Sequence, residues 1–267
     1  MNSSEASLYS KNRRMMEAGY RMYLHKYMSI NDNDKILDFG CGTGELVYRL
    51  SKEAKLAFGF DKSKEMIEFA RQIHKATNVS YEIADISNCL ETHPHWKGKF
   101  SKIVSAYVLH WVKNKRQVFQ NIYDCLSEGG ECFILYVGPN NQLRGNNDDE
   151  LPYYLKNHIK WKHHLKGYEN KYYSLTLKEN VSLLKSVGFG EVKGHLHTPC
   201  DEHDIFSKDE LRGCVSSLVD QIEYVPEQYR SEILQDATEW CFKNFPVNSR
   251  GNKYIRHDTL VLLAKKN

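Results

Sequence analysis

The sequence predicts an α/β fold: a doubly wound, mostly parallel seven-stranded sheet with a helical cap. First, short apolar segments alternate with amphipathic segments from Lys35 onward, the pattern of parallel strands joined by right-handed helical crossovers. Second, glycines or acidic residues follow several of these apolar segments, and the carboxyl ends of parallel strands meet at one edge of a sheet. Third, 267 residues are enough for one large core with a smaller cap.

Seven segments have the length and apolar character of strands: Lys35–Phe39, Leu56–Phe60, Val79–Ile83, Phe100–Ala106, Glu131–Val137, Glu191–His197 and Thr259–Ala264. Helices are predicted near Glu45–Lys52, Ser63–His74, Lys115–Leu126 and Leu177–Ser186. We expect Gly129 and Gly130 to end the helix that begins at Lys115. Apolar residues at helical spacing within residues 1–30 predict one or two amphipathic helices, which either pack on the sheet or form a lid over a cofactor.

We predict a single domain, residues 1–267, with lid helices at about 1–30 and helical cap insertions at about 140–175 and 201–246. A polar loop follows the fifth predicted strand, and a segment rich in aromatic and basic residues comes after it. In that segment Tyr154, His158 and Trp161 have helical spacing and are predicted to line a core or a pocket. Further along the chain two helices are predicted in Asp201–Phe245, with Pro226 at the start of the second.

The composition argues against several function classes. A net charge of +3 and the lack of a dense lysine and arginine run make nucleic acid an unexpected partner. The seven cysteines are scattered without Cys-x-x-Cys pairs, which favours reduced thiols in a cytoplasmic protein. No apolar run approaches the length of a membrane span, and the N-terminus lacks the apolar core of a signal peptide. The histidines and cysteines do not have metal-binding spacing, so no metal is expected.

The segment Lys-Ile-Leu-Asp-Phe-Gly-Cys-Gly-Thr-Gly-Glu-Leu contains three alternate glycines directly after the first predicted strand. Gly40, Gly42 and Gly44 allow a tight turn and let a ligand lie against the main chain. A dinucleotide fingerprint needs a small residue at position 45, but Glu45 stands there, and its charge opposes a pyrophosphate at the helix N-terminus. A Gly-Lys-Ser/Thr sequence is also missing. The loop is therefore typical of a cofactor without phosphate.

The Asp-x-Gly-x-Gly-x-Gly pattern resembles motif I of the class I S-adenosylmethionine-dependent methyltransferases. The resemblance implies a Rossmann-like methyltransferase fold and S-adenosyl-L-methionine as the cofactor. Asp61 ends the second predicted strand, where a carboxylate can accept both hydroxyls of a ribose. Asp85 followed by Ile86 resembles the acidic and apolar pair that holds the adenine in this family. The full predicted cofactor-binding set is Asp38, Gly40, Cys41, Gly42, Gly44, Asp61, Lys62, Met66, Asp85, Ile86 and Tyr107.

The sequence Leu-His-Trp followed by Val-Lys-Asn, after the fourth predicted strand, is similar to the arthropod juvenile hormone acid O-methyltransferases and, more distantly, to the trans-aconitate methyltransferases. The resemblance implies methyl transfer to the carboxylate of a hydrophobic small molecule, such as juvenile hormone acid, farnesoic acid or a fatty acid. A carboxylate is ionised at neutral pH and needs no base. We therefore predict that His110 places the acceptor oxygen by donating a hydrogen bond, and that Trp111 forms a wall of the substrate pocket.

One position departs from these relatives, which carry a glutamine in the N-terminal helix thought to position the substrate carboxylate. Met16 stands there, and a methionine has no hydrogen-bond donor. Either a neighbouring arginine takes over the carboxylate, which its planar fork suits, or the substrate differs. The predicted substrate-binding set is Tyr9, Arg13, Met16, Trp111 and Trp161.

Four alternatives stay open at this point. With the same cofactor, the acceptor can be a hydroxyl or an amine, and His110 is then a candidate general base. A macromolecule methyltransferase is disfavoured by the near-neutral charge and by the lack of an Asn/Asp-Pro-Pro-Tyr sequence. Met16 favours a cofactor-binding homologue without turnover, and Glu45 argues against an NAD-dependent oxidoreductase. We expect a small-molecule substrate and a monomer or homodimer.

Overall fold

The computed structural model describes residues 14–145, 147–197, 204–205 and 207–267. The chain divides into two compact units. The first contains the residues up to Tyr136, Leu175–Leu196 and Leu260–Asn267, and the second contains Val137–Ser174 and His197–Thr259. A single domain with lid and cap helices stays a prediction.

The strands are β1 (Lys35–Phe39), β2 (Leu56–Asp61), β3 (Val79–Ile83), β4 (Phe100–Ala106), β5 (Leu126–Asn141), β6 (Glu191–His197), β7 (Asp204–Ile205), β8 (Lys253–Tyr254) and β9 (His257–Lys265). Seven of them form one sheet in the order β3-β2-β1-β4-β5-β9-β6. The β3–β2, β2–β1, β1–β4 and β4–β5 pairs are parallel. The order reverses between β1 and β4, which is the topological switch point where such sheets bind ligands. The predicted fold class is confirmed.

The α-helices are α1 (Arg14–Tyr27), α2 (Glu45–Leu50), α3 (Lys64–Ile73), α4 (Cys89–Thr92), α5 (Lys115–Cys125), α6 (Leu151–Asn157), α7 (Leu177–Val187), α8 (Lys208–Leu218) and α9 (Arg230–Asn244). Short 3₁₀ turns cover Pro94–Trp96, Leu109–Trp111, Asp220–Tyr224 and Glu227–Tyr229. None of the helices in the described ranges combines the length and the apolar character needed to cross a bilayer.

Helix α1 packs into the core of the first unit. Tyr20, Tyr23 and Leu24 lie one turn or less apart on the helix and are each at most 5% exposed. They belong to a hydrophobic cluster with residues of β1, α2 and β4. Burying a side chain of this size contributes about 1.5–3 kcal/mol to stability. Helix α1 therefore packs against the sheet, which is one of the two alternatives predicted for this region. The lid function stays a prediction.

Two predicted boundaries are wrong. Helix α5 ends at Cys125, ahead of the glycines, because Leu126 already has extended backbone (φ −70°, ψ 137°) and pairs with Phe100. The register shifts between this pair and Lys102–Glu131, so the glycines lie in an irregular stretch of β5, where the φ of 72° at Gly129 suits a glycine. The predicted helical run through Trp161 also ends early, at Asn157, because His158 is extended (φ −66°, ψ 134°).

The second unit contains the helices α6, α8 and α9 and the antiparallel pair β7–β8. Its interior holds a buried ion pair. The Nη1 atom of Arg144 lies 3.1 Å from Oδ1 of Asp220, and the Nη2 atom lies 3.3 Å from Oδ2. The arginine side chain is 3% exposed and the aspartate side chain 26%. In this bidentate pair the guanidinium is therefore more fully shielded from solvent than the carboxylate.

Candidate active site

The glycine loop turns back against β2. The backbone N–H groups of Gly40 and Cys41 both donate to the carbonyl oxygen of Phe60, at 3.0 and 2.8 Å. Gly40, Gly42 and Gly44 have φ values of 82°, 54° and 86°, a region that side chains rarely adopt. A Cβ on Gly40 would lie 2.6 Å from Cγ2 of Val108. The glycines are therefore required by conformation and, at Gly40, by the close approach of the segment that follows β4.

Asp61 joins this loop to the end of β2. Its Oδ2 accepts a hydrogen bond from the Gly42 N–H at 3.1 Å, and its Oδ1 accepts one from the Ser63 N–H at 2.9 Å. A carboxylate offers about four lone-pair sites, so each oxygen keeps the capacity for one further donor. The ribose role that the sequence predicts for Asp61 is compatible with this geometry. Asp38 lies at the end of β1, 3% exposed, and pairs in register with Gly59 of β2.

Three side chains that the sequence analysis did not single out support the loop. The Tyr81 hydroxyl lies 3.2 Å from the Gly44 carbonyl oxygen and 3.1 Å from that of His74. Burial raises the pKa of Tyr81, so the phenol stays protonated as a donor. The Nδ1 atom of His74 donates to the Thr43 carbonyl oxygen at 2.8 Å. The Thr43 hydroxyl in turn bonds to the Glu45 carboxylate at 2.7 Å, at the start of α2. Glu45 therefore occupies the helix terminus that a pyrophosphate would need.

The predicted adenine pair follows β3. Asp85 is exposed, and its Oδ1 accepts the Ser87 N–H at 2.8 Å. Ile86 is half-buried, and its carbonyl oxygen accepts a bond of 2.9 Å from the side-chain amide of Asn121 on α5. The loop after β3 is therefore held from α5. Of the two remaining cofactor candidates near β2, Lys62 is exposed and Met66 is 5% exposed.

Tyr107 closes β4 in a strained conformation. Among the residues that the structure describes, it is the one non-glycine residue with a positive φ, 61°. Its N–H donates to the Leu135 carbonyl oxygen at 2.7 Å, which holds the backbone in place. Its hydroxyl lies against Gly19 of α1, where an added Cβ would overlap the hydroxyl oxygen and lie 2.9 Å from Cζ. Strain of this kind costs about 1–3 kcal/mol and is concentrated at functional sites.

Replacing Gly19 with alanine is expected to lower the free energy of unfolding by about 1–3 kcal/mol, because α1 or Tyr107 must move to remove the overlap. Chemical denaturation measures the change. Gly213→Ala in α8 is the matched control, because nothing lies within 4 Å of its added Cβ. That helical glycine should gain about 0.5–1 kcal/mol on replacement by alanine. A change of the same sign in both variants would contradict the close approach.

His110 and Trp111 lie in the 3₁₀ turn Leu109–Trp111 that follows Tyr107. His110 is 7% exposed, Trp111 is 41% exposed, and their ring centroids are 4.9 Å apart. The Trp111 N–H donates to the Val108 carbonyl oxygen at 3.0 Å, and the Val108 side chain is the one that reaches Gly40. The turn is thereby fixed directly beside the glycine loop.

The structure joins the glycine loop to Asp61 through the Gly42 hydrogen bond, and to the segment after β4 through the close approach of Gly40 and Val108. The predicted substrate residues are described only in part. Tyr9 and Arg13 lie outside the described residues, and Met16 falls within α1. Trp161 belongs to the second unit, where it is 2% exposed and its indole Nε1 donates to Oδ2 of Asp236 at 3.0 Å. The substrate roles of these residues stay predictions.

Across residues 14–145, 147–197, 204–205 and 207–267, no three His, Cys, Asp or Glu side chains come together in an arrangement that could hold a metal ion.

Comparison with known proteins places these features in context. A family described as a methyltransferase domain matches residues 30–184, which include the glycine loop and the His110–Trp111 turn. Juvenile hormone acid O-methyltransferase of Drosophila melanogaster is 26% identical over 253 residues, covering 87% of this chain and 81% of that enzyme. The enzyme of the same name from Bombyx mori is 31% identical over 110 residues, 39% of this chain and 38% of that enzyme.

Solved structures share the fold. Phosphoethanolamine N-methyltransferase 2 of Haemonchus contortus, solved with phosphomonomethylethanolamine and S-adenosylhomocysteine, superposes with a TM-score of 0.63 at 17% identity. The match covers 100% of this chain, which spans 58% of that one. A putative sarcosine dimethylglycine methyltransferase from Galdieria sulphuraria gives a TM-score of 0.58 at 15% identity, covering 95% of this chain and 86% of that one. At these identities the likeness concerns the fold.

Proposed function

This chain belongs to the methyltransferase domain family, and on that premise we propose that it transfers a methyl group to the carboxylate of a hydrophobic small molecule. The observation that carries the proposal is the His110–Trp111 turn. It presents a buried imidazole and a partly exposed indole directly beside the glycine loop. The two juvenile hormone acid O-methyltransferases, both named for a carboxylic acid substrate, support the choice of acceptor.

The cofactor is S-adenosyl-L-methionine, and the residues of this chain fit it. Asp61 keeps one acceptor site on each oxygen for the ribose hydroxyls. Ile86 offers an apolar surface and Asp85 a carboxylate, which suit the ring and the amino group of adenine. The charge of Glu45 disfavours a pyrophosphate at the helix N-terminus, which is consistent with a cofactor that has none. When bound, the cofactor supplies a methyl group on a positively charged sulfur.

The chain's own contribution is alignment. Holding reactants in line and excluding water lowers a barrier by up to about 7–11 kcal/mol in well-oriented systems. His110 donates a hydrogen bond that fixes the acceptor oxygen, and the Trp111 ring covers the apolar part of the acceptor next to it. Because a carboxylate is already ionised at neutral pH, no residue has to remove a proton.

The proposal is tested by following S-adenosylhomocysteine release with a panel of acceptors: farnesoic and juvenile hormone acids, fatty acids, trans-aconitate, and phenol and amine controls. We expect turnover on the hydrophobic acids, and no ionisation of the acceptor should appear in the pH–rate profile between pH 6 and 8, because a carboxylate keeps its charge there. The carboxylate acceptor would be wrong if only hydroxyl or amine acceptors were methylated and the rate depended on an ionisation that His110→Ala abolishes. The acceptor would then be a hydroxyl or an amine.

His110→Ala is expected to lower kcat on hydrophobic acids roughly 10²-fold, because the acceptor oxygen loses its fixed position. Cofactor affinity, measured by calorimetry, should be unchanged, since the predicted cofactor residues are intact. His95→Ala is the matched control, because His95 is exposed and lies outside the turn. An equal loss of activity in both variants would argue that His110 has no special role in transfer.

A further inference from the structure

Lys115 occupies an unfavourable place for a cation. It is the first residue of α5, yet it is 3% exposed. A helix N-terminus carries partial positive charge, so an ammonium there opposes the helix dipole. Burial adds a second cost and lowers the pKa of Lys115 to about 8. Lys115 is therefore unfavourable both for the helix dipole and for burial of its charge. Because it lies a few residues from the candidate active site, these costs indicate that it has a role in function.

The contacts of the ammonium point to that role. The Nζ atom donates to the Val112 carbonyl oxygen at 2.8 Å. Val112 directly follows the turn Leu109–Trp111, and its own N–H donates to the Leu109 carbonyl oxygen at 3.1 Å. The bond from Lys115 therefore attaches α5 to the backbone of the turn that carries His110 and Trp111.

A second connection between Lys115 and the turn passes through Tyr136, which lies on β5 in the first unit. The Lys115 Nζ atom lies 5.9 Å from the centroid of the Tyr136 ring, within cation–π range. The same ring stacks with His110, with centroids 6.5 Å apart and planes inclined by 25°. The Tyr136 ring is thus shared by the ammonium and the imidazole.

Helix α7 fixes this shared ring. The Tyr136 hydroxyl donates to Oδ1 of Asn180 at 2.6 Å. The amide nitrogen of Asn180 donates to the carbonyl oxygens of Leu175 and Thr176 at 3.1 and 2.8 Å, so the amide is held in one orientation. Asn180 is fully buried. The ring has a fixed position against which both Lys115 and His110 pack.

We infer that Lys115 is a positioning residue for methyl transfer: its ammonium holds the His110–Trp111 turn and packs on the Tyr136 ring, so that the His110 imidazole keeps one orientation toward the acceptor. The inference rests on the proposed function. A structural lysine would stabilise the fold. The burial of Lys115 instead lowers stability, and its contribution is to the rate of methyl transfer.

Lys115→Met removes the charge and the donor while keeping a long side chain. We expect a thermal midpoint equal to or above that of the wild type, together with a kcat lowered about 10- to 100-fold and an unchanged KM for the cofactor. Lys115→Arg, which retains a buried donor and charge, should recover part of kcat. Lys113→Met is the matched control, since Lys113 is exposed in the same segment. A lower midpoint with a parallel loss of all parameters, or an unchanged kcat, would overturn the inference.

Amide hydrogen exchange gives a readout that does not depend on turnover. Exchange of the 107–114 peptide should be faster in Lys115→Met than in the wild type or Lys113→Met, because the turn has lost its attachment to α5. Unchanged exchange would overturn the inference even in an active enzyme. Failure of the wild type to methylate any acceptor would overturn the proposed function instead, and the exchange data separate the two failures.

Discussion

Gly40→Ala is expected to destabilise the first unit by about 2–5 kcal/mol. A side chain at a φ of 82° costs about 1–2 kcal/mol. The new methyl group also lies 2.6 and 2.8 Å from the two Val108 methyl carbons, and overpacking of this kind costs about 1–3 kcal/mol. The loop that carries the Gly42–Asp61 hydrogen bond must shift, so affinity for S-adenosyl-L-methionine should fall at least about tenfold. Chemical denaturation and titration calorimetry measure the two effects.

Two controls separate the backbone cost from the collision. Gly129 has a similar φ, 72°, but nothing lies within 4 Å of its added Cβ, so Gly129→Ala should lose only the backbone cost of about 1–2 kcal/mol. Val108→Ala removes both colliding methyl groups and should restore part of the stability of Gly40→Ala. If the losses of Gly40→Ala and Val108→Ala simply add, the collision is not the cause.

Asp220→Ala is expected to destabilise the protein by about 3–5 kcal/mol, because it takes the carboxylate away from a guanidinium that is buried in the second unit. The same carboxylate accepts a hydrogen bond of 2.9 Å from the Tyr168 hydroxyl, which is lost as well. Urea denaturation of the intact chain measures the change.

An exposed pair in the same unit provides the comparison. The Arg256–Asp149 bridge, 2.7 Å long, has side chains that are 48% and 66% exposed. Asp149→Ala should therefore cost no more than about 1 kcal/mol. The double variant Arg144→Met with Asp220→Ala should be more stable than Asp220→Ala alone, since no buried charge is left behind. Equal losses in Asp220→Ala and Asp149→Ala would contradict the effect of burial.

The sheet was predictable because its signals are local. Val79–Ile83 and Phe100–Ala106 have the predicted bounds, since each is a short apolar run between turn residues. The Ser-Glu-Gly-Gly segment was misassigned because a glycine pair can end a helix or lie in an irregular stretch of a strand equally well. Pairing of Leu126 with Phe100, far away in sequence, decides between the two.

The site was predictable in part for the same reason. The glycines lie at the end of β1 and Asp61 at the end of β2. The carboxyl ends of parallel strands meet at one edge of the sheet, and this does not depend on the structure of the connecting segments. Tyr81 and Lys115 had no such signal. A tyrosine within a strand suggests core packing and a lysine at a helix start suggests a solvated surface, so only the tertiary approach of other elements reveals their contacts.

The position of β9 has a consequence for how the protein folds. This strand lies between β5 and β6, yet the whole stretch from Gln142 to Arg256 separates it from β5 along the chain. Closing a loop of that length is entropically costly, and strand pairs distant in sequence form slowly. Until β9 arrives, β5 exposes an unpaired edge whose residues Phe133, Ile134 and Leu135 are at most 1% exposed in the finished protein. We therefore expect the pairing of β5 with β9 to be a slow step of refolding, and association between chains through the open β5 edge to compete with it.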